Sequence, residues 1–157
     1  MGAMSIQLAG RLARRGNRAA GDNCPIDRAM QVIGTRSAIL LMREAYYGTT
    51  RFDDFAALTG ITEAVAAKRL RELVDIGLLT REPYQEPGQR TRHEYVLTES
   101  GRDLMPAVFA LGMWGKKHIP HKGSPSMTHF GCDAPVSVEF RCADGHLVDT
   151  DALLVTG

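Results

Sequence analysis

The stretch Gly60–Ile76, GITEAVAAKRLRELVDI, determines how the rest of the chain is interpreted. Thr62 has a hydroxyl that can cap a helix, and strong helix formers follow it. Apolar residues then recur at steps of three and four, which places them on one buried face. The residues predicted to be buried are Ile61, Ala66, Leu70, Leu73 and Ile76. The outer face is small, polar and basic, as a helix in the major groove of DNA requires. Its residues are Thr62, Glu63, Ala64, Ala67, Lys68 and Arg71.

A shorter helix is predicted just before this stretch, over Asp53–Leu58, with Phe55 and Leu58 facing inward. Thr59-Gly60 supplies the turn between the two helices. A helix, a glycine-containing turn and a helix with a basic outer face together form a helix-turn-helix. Taken alone, the pattern fits an ordinary amphipathic helix with a solvated charged face equally well, so the segments that follow decide between the two.

Two alternating segments after the second helix predict a β-hairpin. They span Leu78–Tyr84 and His93–Leu97, and Pro87-Gly88 marks the turn between them. The tip carries Arg90 and Arg92, which are placed to reach phosphates or the adjacent minor groove. An ordinary charged hairpin is the alternative, but the order helix, turn, helix, hairpin favours the wing of a winged helix-turn-helix.

The first and last helices of this domain carry apolar surface that a small winged domain cannot cover alone. The first is predicted from Pro25 to Gly34, a second helix follows over about Arg36–Tyr47, and the last begins at the cap Thr98 with Pro106 in its second turn. We predict a homodimer, since two-fold proteins read paired half-sites. The predicted interface residues are Ile26, Met30, Leu104, Val108, Leu111 and Trp114. The alternative is that Trp114 closes the core of the monomer.

Length and composition place these elements in one main domain with two extensions. The 157 residues carry 19 basic and 18 acidic side chains, for a net charge of +1. Residues 1–22 are predicted to be a basic N-terminal arm, either a frayed helix or a segment that orders on DNA or a partner. Residues 23–119 form the winged domain, and residues 120–157 a small β-rich extension. The predicted fold class is therefore mainly α with a small β wing, plus this extension.

Other features of the sequence limit the classes of protein to which the chain could belong. No apolar run approaches the roughly 20 residues of a membrane span, and the N-terminus lacks the apolar core of a secretory signal. Three cysteines do not suggest a disulfide framework. We therefore expect a cytoplasmic protein without membrane contact. No nucleophile–base set, phosphate-binding loop or carboxylate pair stands out, so we expect no enzymatic activity and no cofactor.

Many short motifs occur in an order that resembles one family. They are Cys24-Pro25, Gly34-Thr35-Arg36-Ser37, Arg51-Phe52-Asp53-Asp54-Phe55, Gly60-Ile61-Thr62, Arg69-Leu70-Arg71-Glu72-Leu73, Gly77-Leu78, Tyr84, Glu94-Tyr95-Val96-Leu97-Thr98, Gly101 and Trp114. Over about residues 23–118 the chain resembles the HxlR-type winged helix-turn-helix transcriptional regulators of prokaryotes. The resemblance implies a dimeric regulator of double-stranded DNA, with its recognition helix at residues 62–76 and its wing at 84–95.

We expect this regulator to act as a repressor, and Arg36 and Arg51 complete the set of predicted DNA contacts. Two positions depart from the family pattern. Ser37 stands where many members carry tryptophan. Ala64 and Ala67 leave few side chains for bidentate contacts to bases. A winged-helix module that binds another protein is a further alternative.

Cys24 lies where some members of the family carry a redox-sensing cysteine. The start of a helix supplies a favourable dipole, and Arg28 lies one turn on. One alternative function is therefore a regulator that senses oxidants through Cys24, or an unknown small-molecule effector through a pocket at the dimer interface. The structural alternative is a semi-buried cysteine at that interface.

The C-terminal extension contains residue types that bind zinc, namely His129, Cys132, Cys142 and His146. Some relatives have a tail like a zinc ribbon, but here the second cysteine of its second pair is replaced by Gly145. The spacing of Cys142 and His146 is unfavourable for a zinc knuckle. We therefore expect no bound metal, and a reducing compartment opposes a disulfide between Cys132 and Cys142.

Overall fold

The computed structural model describes residues 6–17 and 24–157, which fall into two compact units. One unit spans Asp22–Pro120, and the other is formed by the two ends of the chain, Met1–Gly21 and His121–Gly157. The helices are α1 (Gly10–Ala13), α2 (Pro25–Ile33), α3 (Arg36–Tyr46), α4 (Phe52–Thr59), α5 (Glu63–Asp75), α6 (Glu99–Asp103) and α7 (Met105–His118). The strands are β1 (Gln7–Ala9), β2 (Leu79–Tyr84), β3 (Arg92–Leu97), β4 (Phe140–Arg141), β5 (Leu147–Val148) and β6 (Leu154–Thr156). The predicted fold class is confirmed.

The core of the Asp22–Pro120 unit lies between α3, α4, α5 and the start of β2. Its largest fully buried side chains are Phe55, Leu41, Met42, Leu70, Leu73 and Leu79. Burial of one such side chain stabilises a fold by about 1.5–3 kcal/mol. Because α4 and α5 both contribute to this core, the two helices are held in a fixed relative orientation.

The helix-turn-helix consists of α4, a short turn and α5. Gly60 follows α4 at φ 65° and ψ 22°, a left-handed conformation that glycine adopts at least cost. The Thr62 hydroxyl accepts a hydrogen bond from the Val65 amide at 3.4 Å and caps α5. The two sequence signals that defined the motif, a turn glycine and a capping threonine, therefore act as predicted.

Most of the predicted inner face of the recognition-type helix is buried, with one exception. Ala66, Leu70 and Leu73 are buried, and Ile61 is half-buried against the core. Ile76 is 42% exposed because it follows the last turn of α5, and this prediction was wrong. Leu58 on α4 is also wrong, at 58% exposed. The inward stripe of α4 is formed instead by Phe55, Ala56 and Thr59.

The hairpin pairs β2 with β3 in an antiparallel register that runs from Leu79↔Leu97 to Tyr84↔Arg92. Its base is fixed to the core, since the Phe55 and Tyr95 rings meet edge to face with centroids 6.1 Å apart. The Tyr95 amide also donates a hydrogen bond to the Thr50 carbonyl at 2.8 Å. The wing therefore extends from a rigid base.

The last helix of this unit is split into α6 and α7, with Leu104 between them. Pro106 lies in the first turn of α7, where its missing N–H leaves no hydrogen bond unmade. Val108 is buried within the single chain, so its assignment to a dimer surface was wrong, while Leu104 is half-buried against the chain's own core. Leu111 and Trp114 are each 55% exposed, so Trp114 does not close the monomer core either.

The second unit joins the two ends of the chain through strand pairing. β1 lies parallel to β6 with Leu8 opposite Val155, in place of the helix or free arm predicted for the N-terminus. α1 is only four residues long, and Arg18, part of the predicted basic arm, lies outside the described residues. In the extension β4 and β5 form an antiparallel hairpin. None of the helices in residues 6–17 and 24–157 is long and apolar enough to cross a membrane.

Candidate nucleic-acid interface

The outward face of α5 carries small and basic side chains, with one acidic residue at its start. Glu63, Ala64, Lys68 and Arg71 are exposed, and Ala67 is half-buried between them. Thr62 is exposed as well, while its hydroxyl is occupied in capping the helix. Small side chains let the helix backbone approach base edges closely, and the cations face the phosphates on either side of a groove.

The cations on α5 differ in what they contact. Arg69 forms an ion pair with Glu72 one turn on and is half-buried. Lys68 and Arg71 form no ion pair within residues 6–17 and 24–157. They are three positions apart and so neighbour each other on the helix surface. The two cations that the sequence placed on the outer face are thus the two of the three that the structure leaves available for a polyanion.

A tight junction sets the position of the wing relative to α5. The Leu78 amide donates to the Leu73 carbonyl at 2.9 Å, and the Gly77 amide donates to the Val74 carbonyl at 2.9 Å. This pair of bonds is the Schellman motif, in which the left-handed residue is Gly77 at φ 79°. β2 begins immediately afterwards, so this junction sets the direction in which the wing leaves the recognition-type helix.

Arg51 has a different environment from the other predicted DNA contacts. Its guanidinium carbon lies 3.0 Å from the centre of the Tyr84 ring, and its Nη1 lies 3.9 Å from a Glu94 carboxylate oxygen. These contacts link the start of α4 to both strands of the wing. The Nη1 atom is buried without a hydrogen bond inside the described residues. Arg51 therefore supports the wing from its middle to the tip end of β2, and only part of its side chain faces solvent.

The remaining predicted cations are exposed. Arg36 begins α3, Arg90 lies at the wing tip, and Arg92 begins β3. Sequence reasoning missed Arg81, whose Nη2 lies 3.3 Å from the Nδ1 of His93 across the hairpin. The pairing register of β2 and β3 brings these two basic side chains together on the wing. The sequence alone did not determine that register residue by residue.

Two groups of exposed apolar side chains lie on α2 and α7. Ile26 is 74% exposed and Met30 is 53% exposed, and α2 contains no buried residue. Leu111 and Trp114 continue the apolar surface on α7. Of the six predicted interface residues, these four are exposed in the single chain.

Cys24 is the N-cap residue of α2 and is half-buried. Its carbonyl accepts the first helical hydrogen bond, from the Arg28 amide at 3.0 Å. Cys132 and Cys142 are both exposed and unpaired, so the structure contains no disulfide between them.

The four metal-binding candidates of the extension do not form one group within the described residues. His129 Nδ1 and Cys132 Sγ are 3.2 Å apart. Cys142 and His146 instead come together with Asp144, which was not among the predicted metal ligands. The conformation of the turn between β4 and β5 determines which of these side chains lie close together, and their spacing in the sequence does not.

The fold and the exposed basic face define a winged helix-turn-helix DNA-binding protein. A match to the HxlR-like helix-turn-helix family covers residues 32–123. The uncharacterised HTH-type transcriptional regulator Rv3095 of Mycobacterium tuberculosis is 39% identical over 119 residues, which is 74% of each chain. The chain belongs to the HxlR-like family of transcriptional regulators, and the resemblance based on its motifs is confirmed.

Solved structures agree with this assignment. PA1607, described as a candidate transcription factor, is 30% identical with a TM-score of 0.75, and the match covers 86% of this chain and 95% of that one. The redox regulator HypR in its reduced form is 33% identical with a TM-score of 0.54, and the match covers 60% of this chain and 92% of that one.

Proposed function

We propose that the protein is a sequence-specific repressor that binds DNA as a homodimer, with α5 in the major groove and the wing on the adjacent backbone or minor groove. The observation that carries the proposal is the outer face of α5, where Lys68 and Arg71 are exposed and unpaired in the described part of the chain. A dimer that covers two half-sites excludes RNA polymerase from an overlapping promoter, which is why we assign repression.

The chemistry of α5 indicates how bases are read. Ala64 offers a methyl group that suits the methyl group of thymine, and Ala67 does the same one turn on. Arg71 has the planar fork that pairs with guanine, while Lys68 offers a point charge for guanine or phosphate. We therefore expect Arg71 to contribute more base discrimination than Lys68.

The test uses DNA that flanks the protein's own gene, with a footprint to locate the operator. We expect the double variant Lys68→Ala and Arg71→Ala to lose at least about tenfold in specific affinity, because each good base contact contributes about 1–3 kcal/mol. The matched control, Lys116→Ala with Lys117→Ala, removes the same charge from α7. We expect it to bind operator and random DNA as the native protein does.

The wing is tested separately. Replacing Arg90 and Arg92 with alanine should weaken binding to all sequences equally and lower the salt slope by about 2, since phosphate contacts contribute about one unit each. Unchanged affinity in both double variants would show that α5 and the wing do not dock on DNA in this way.

A second candidate function is oxidant sensing through Cys24. Its support is the position of this thiol at the start of α2 and the similarity to HypR, which is a redox regulator. Peroxide would convert the thiolate to a sulfenic acid with release of water or hydroxide. We expect peroxide to change operator affinity in the native protein and in the control Cys132→Ser, but not in Cys24→Ser. A response that persists in Cys24→Ser would exclude this residue as the sensor.

A further inference from the structure

The turn between β4 and β5 brings three chemically different ligand groups to one point. Arg141 pairs with Leu147 as the last pair of the hairpin, and the Cys142 amide then donates to the His146 carbonyl at 3.1 Å. Three residues are left in the loop. Gly145 takes φ 83°, and its amide donates to the Cys142 carbonyl at 2.9 Å. This is a three-residue hairpin loop with glycine in the left-handed position.

The loop geometry explains why Cys142 and His146 meet. They face each other across the hairpin mouth, where opposite residues have Cβ atoms about 4.5–5.5 Å apart. Asp144 lies within the loop. One ligand atom from each of Cys142, Asp144 and His146 lies within 4.8 Å of the others. In a tetrahedral zinc site with bonds of about 2.0–2.3 Å, neighbouring ligand atoms lie about 3.5 Å apart. Rotation of exposed side chains is enough to close that difference.

The charge around the turn is compatible with a cation. Asp144 contributes a carboxylate, and binding of a metal releases the thiol proton of Cys142, so the two anionic ligands balance a divalent ion. One neighbouring cation is Arg141, whose Nη1 donates to the Gly145 carbonyl at 3.1 Å. The same guanidinium pairs with Glu139 through Nη2 at 3.2 Å. Arg141 therefore stabilises the loop through this hydrogen bond, and the Glu139 carboxylate offsets its charge.

We propose that Cys142, Asp144 and His146 form a binding site for a zinc-type divalent ion, with a fourth position open to water or another ligand. The donor set of thiolate, imidazole and carboxylate suits zinc or cobalt and disfavours magnesium and calcium, which take oxygen ligands. This proposal reverses the expectation from the sequence. That expectation was of no bound metal, because the four ligands of a zinc ribbon are not all present. It is independent of DNA binding.

The experiment titrates metal-free full-length protein with Co²⁺ and then Zn²⁺. We expect one Co²⁺ per chain, a thiolate-to-cobalt charge-transfer absorbance, and displacement by one equivalent of Zn²⁺. Cys142→Ser should abolish the charge-transfer band, His146→Gln should weaken binding at least tenfold, and Asp144→Asn should weaken it less. The matched control is His129→Gln with Cys132→Ser, which removes the other neighbouring pair and should leave the titration unchanged.

Three outcomes would overturn the proposal. One is the absence of stoichiometric binding by the native protein. Another is a titration that Cys142→Ser does not change. The third is loss of binding in the His129 and Cys132 control, which would show that the ligands come from a four-residue ribbon instead. All variants lie at exposed positions, and circular dichroism of each one checks that the fold is retained.

Discussion

Gly101 lies where α6 meets the junction between α5 and β2. A Cβ at this position would lie 2.1 Å from the Leu78 carbonyl oxygen, a backbone atom that cannot move alone. The Gly101 amide donates to the Thr98 hydroxyl, and that hydroxyl donates in turn toward the Gly77 carbonyl at 2.6 Å. A side chain here would therefore disturb the cap of α6 and the base of the wing together.

We expect Gly101→Ala to lower the free energy of unfolding by about 1–3 kcal/mol, the usual cost of an overpacked site. Chemical denaturation followed by circular dichroism measures the change. Ser100→Ala, at the exposed neighbouring position, is the control and should stay within about 0.5 kcal/mol of the native protein. If the native protein and both variants were equally stable, the backbone around Leu78 would have moved to accommodate the new methyl group at no cost.

Tyr46 links α3 to the same glycine. Its hydroxyl donates to the Gly101 carbonyl at 2.9 Å, and burial raises the pKa of Tyr46 from 10.0 to about 12. The neutral phenol is therefore favoured by folding. Its contribution to stability is fully present below pH 10.0 and is lost as the pH rises toward about 12, because the unfolded chain ionises first.

Tyr46→Phe tests this contribution. We expect a loss of about 1 kcal/mol at pH 8 from the missing hydrogen bond. Between pH 10.0 and about 12 the native protein should lose stability more steeply than the variant, so the two unfolding curves converge. Urea denaturation at several pH values measures both effects. Parallel pH dependence in the two proteins would contradict the burial of this phenol.

At the scale of elements, local signals predicted most of the secondary structure. The start of α2 follows from Pro25, the cap of α5 from Thr62, and the break before α7 from Pro106. Each of these effects depends on the residue's own chemistry within one turn. The arrangement of elements was less predictable, as Leu104 and Val108 show. Both lie on the apolar stripe of the last helix. The part of this stripe that is buried within the chain depends on contacts with residues far away in the sequence.

Two parts of the fold depend on contacts that a linear pattern does not contain. β1 pairs with β6 from the opposite end of the chain, so the alternation within Gln7–Ala9 has no local partner to indicate it. The candidate interface shows the same limit. The exposed cations of α5 follow from helical periodicity, but the contact of Arg51 with Tyr84 depends on how the wing folds back on α4.

Gly77 fixes the angle between α5 and the wing, and an element-scale prediction follows. Its φ of 79° is costly for any L residue with a side chain. We expect Gly77→Ala to destabilise the protein by about 1–2 kcal/mol and to weaken operator binding more than stability alone explains. A fluorescence anisotropy titration well below the unfolding temperature measures affinity. If the variant bound the operator as tightly as the native protein does, the junction would not determine the angle between α5 and the wing.

At the scale of the whole molecule, α2 and α7 each expose large apolar side chains. These are Ile26 and Met30 on α2 and Leu111 and Trp114 on α7, and a two-fold interface would remove both groups from water on both copies. A dimer would also double the number of base contacts available to a recognition helix rich in alanine, since its two half-sites would lie about one helical turn apart.

We therefore predict that the native protein sediments as a dimer at micromolar concentration and that Trp114→Glu weakens the dimer. A central buried tryptophan typically contributes at least about 2 kcal/mol, so the dissociation constant should rise about 30-fold or more. Leu58→Glu is the control, because Leu58 is as exposed as Trp114 but lies on α4. We expect Leu58→Glu to remain dimeric. A native protein that is monomeric at every concentration, or a Trp114→Glu variant that stays dimeric, would exclude this interface.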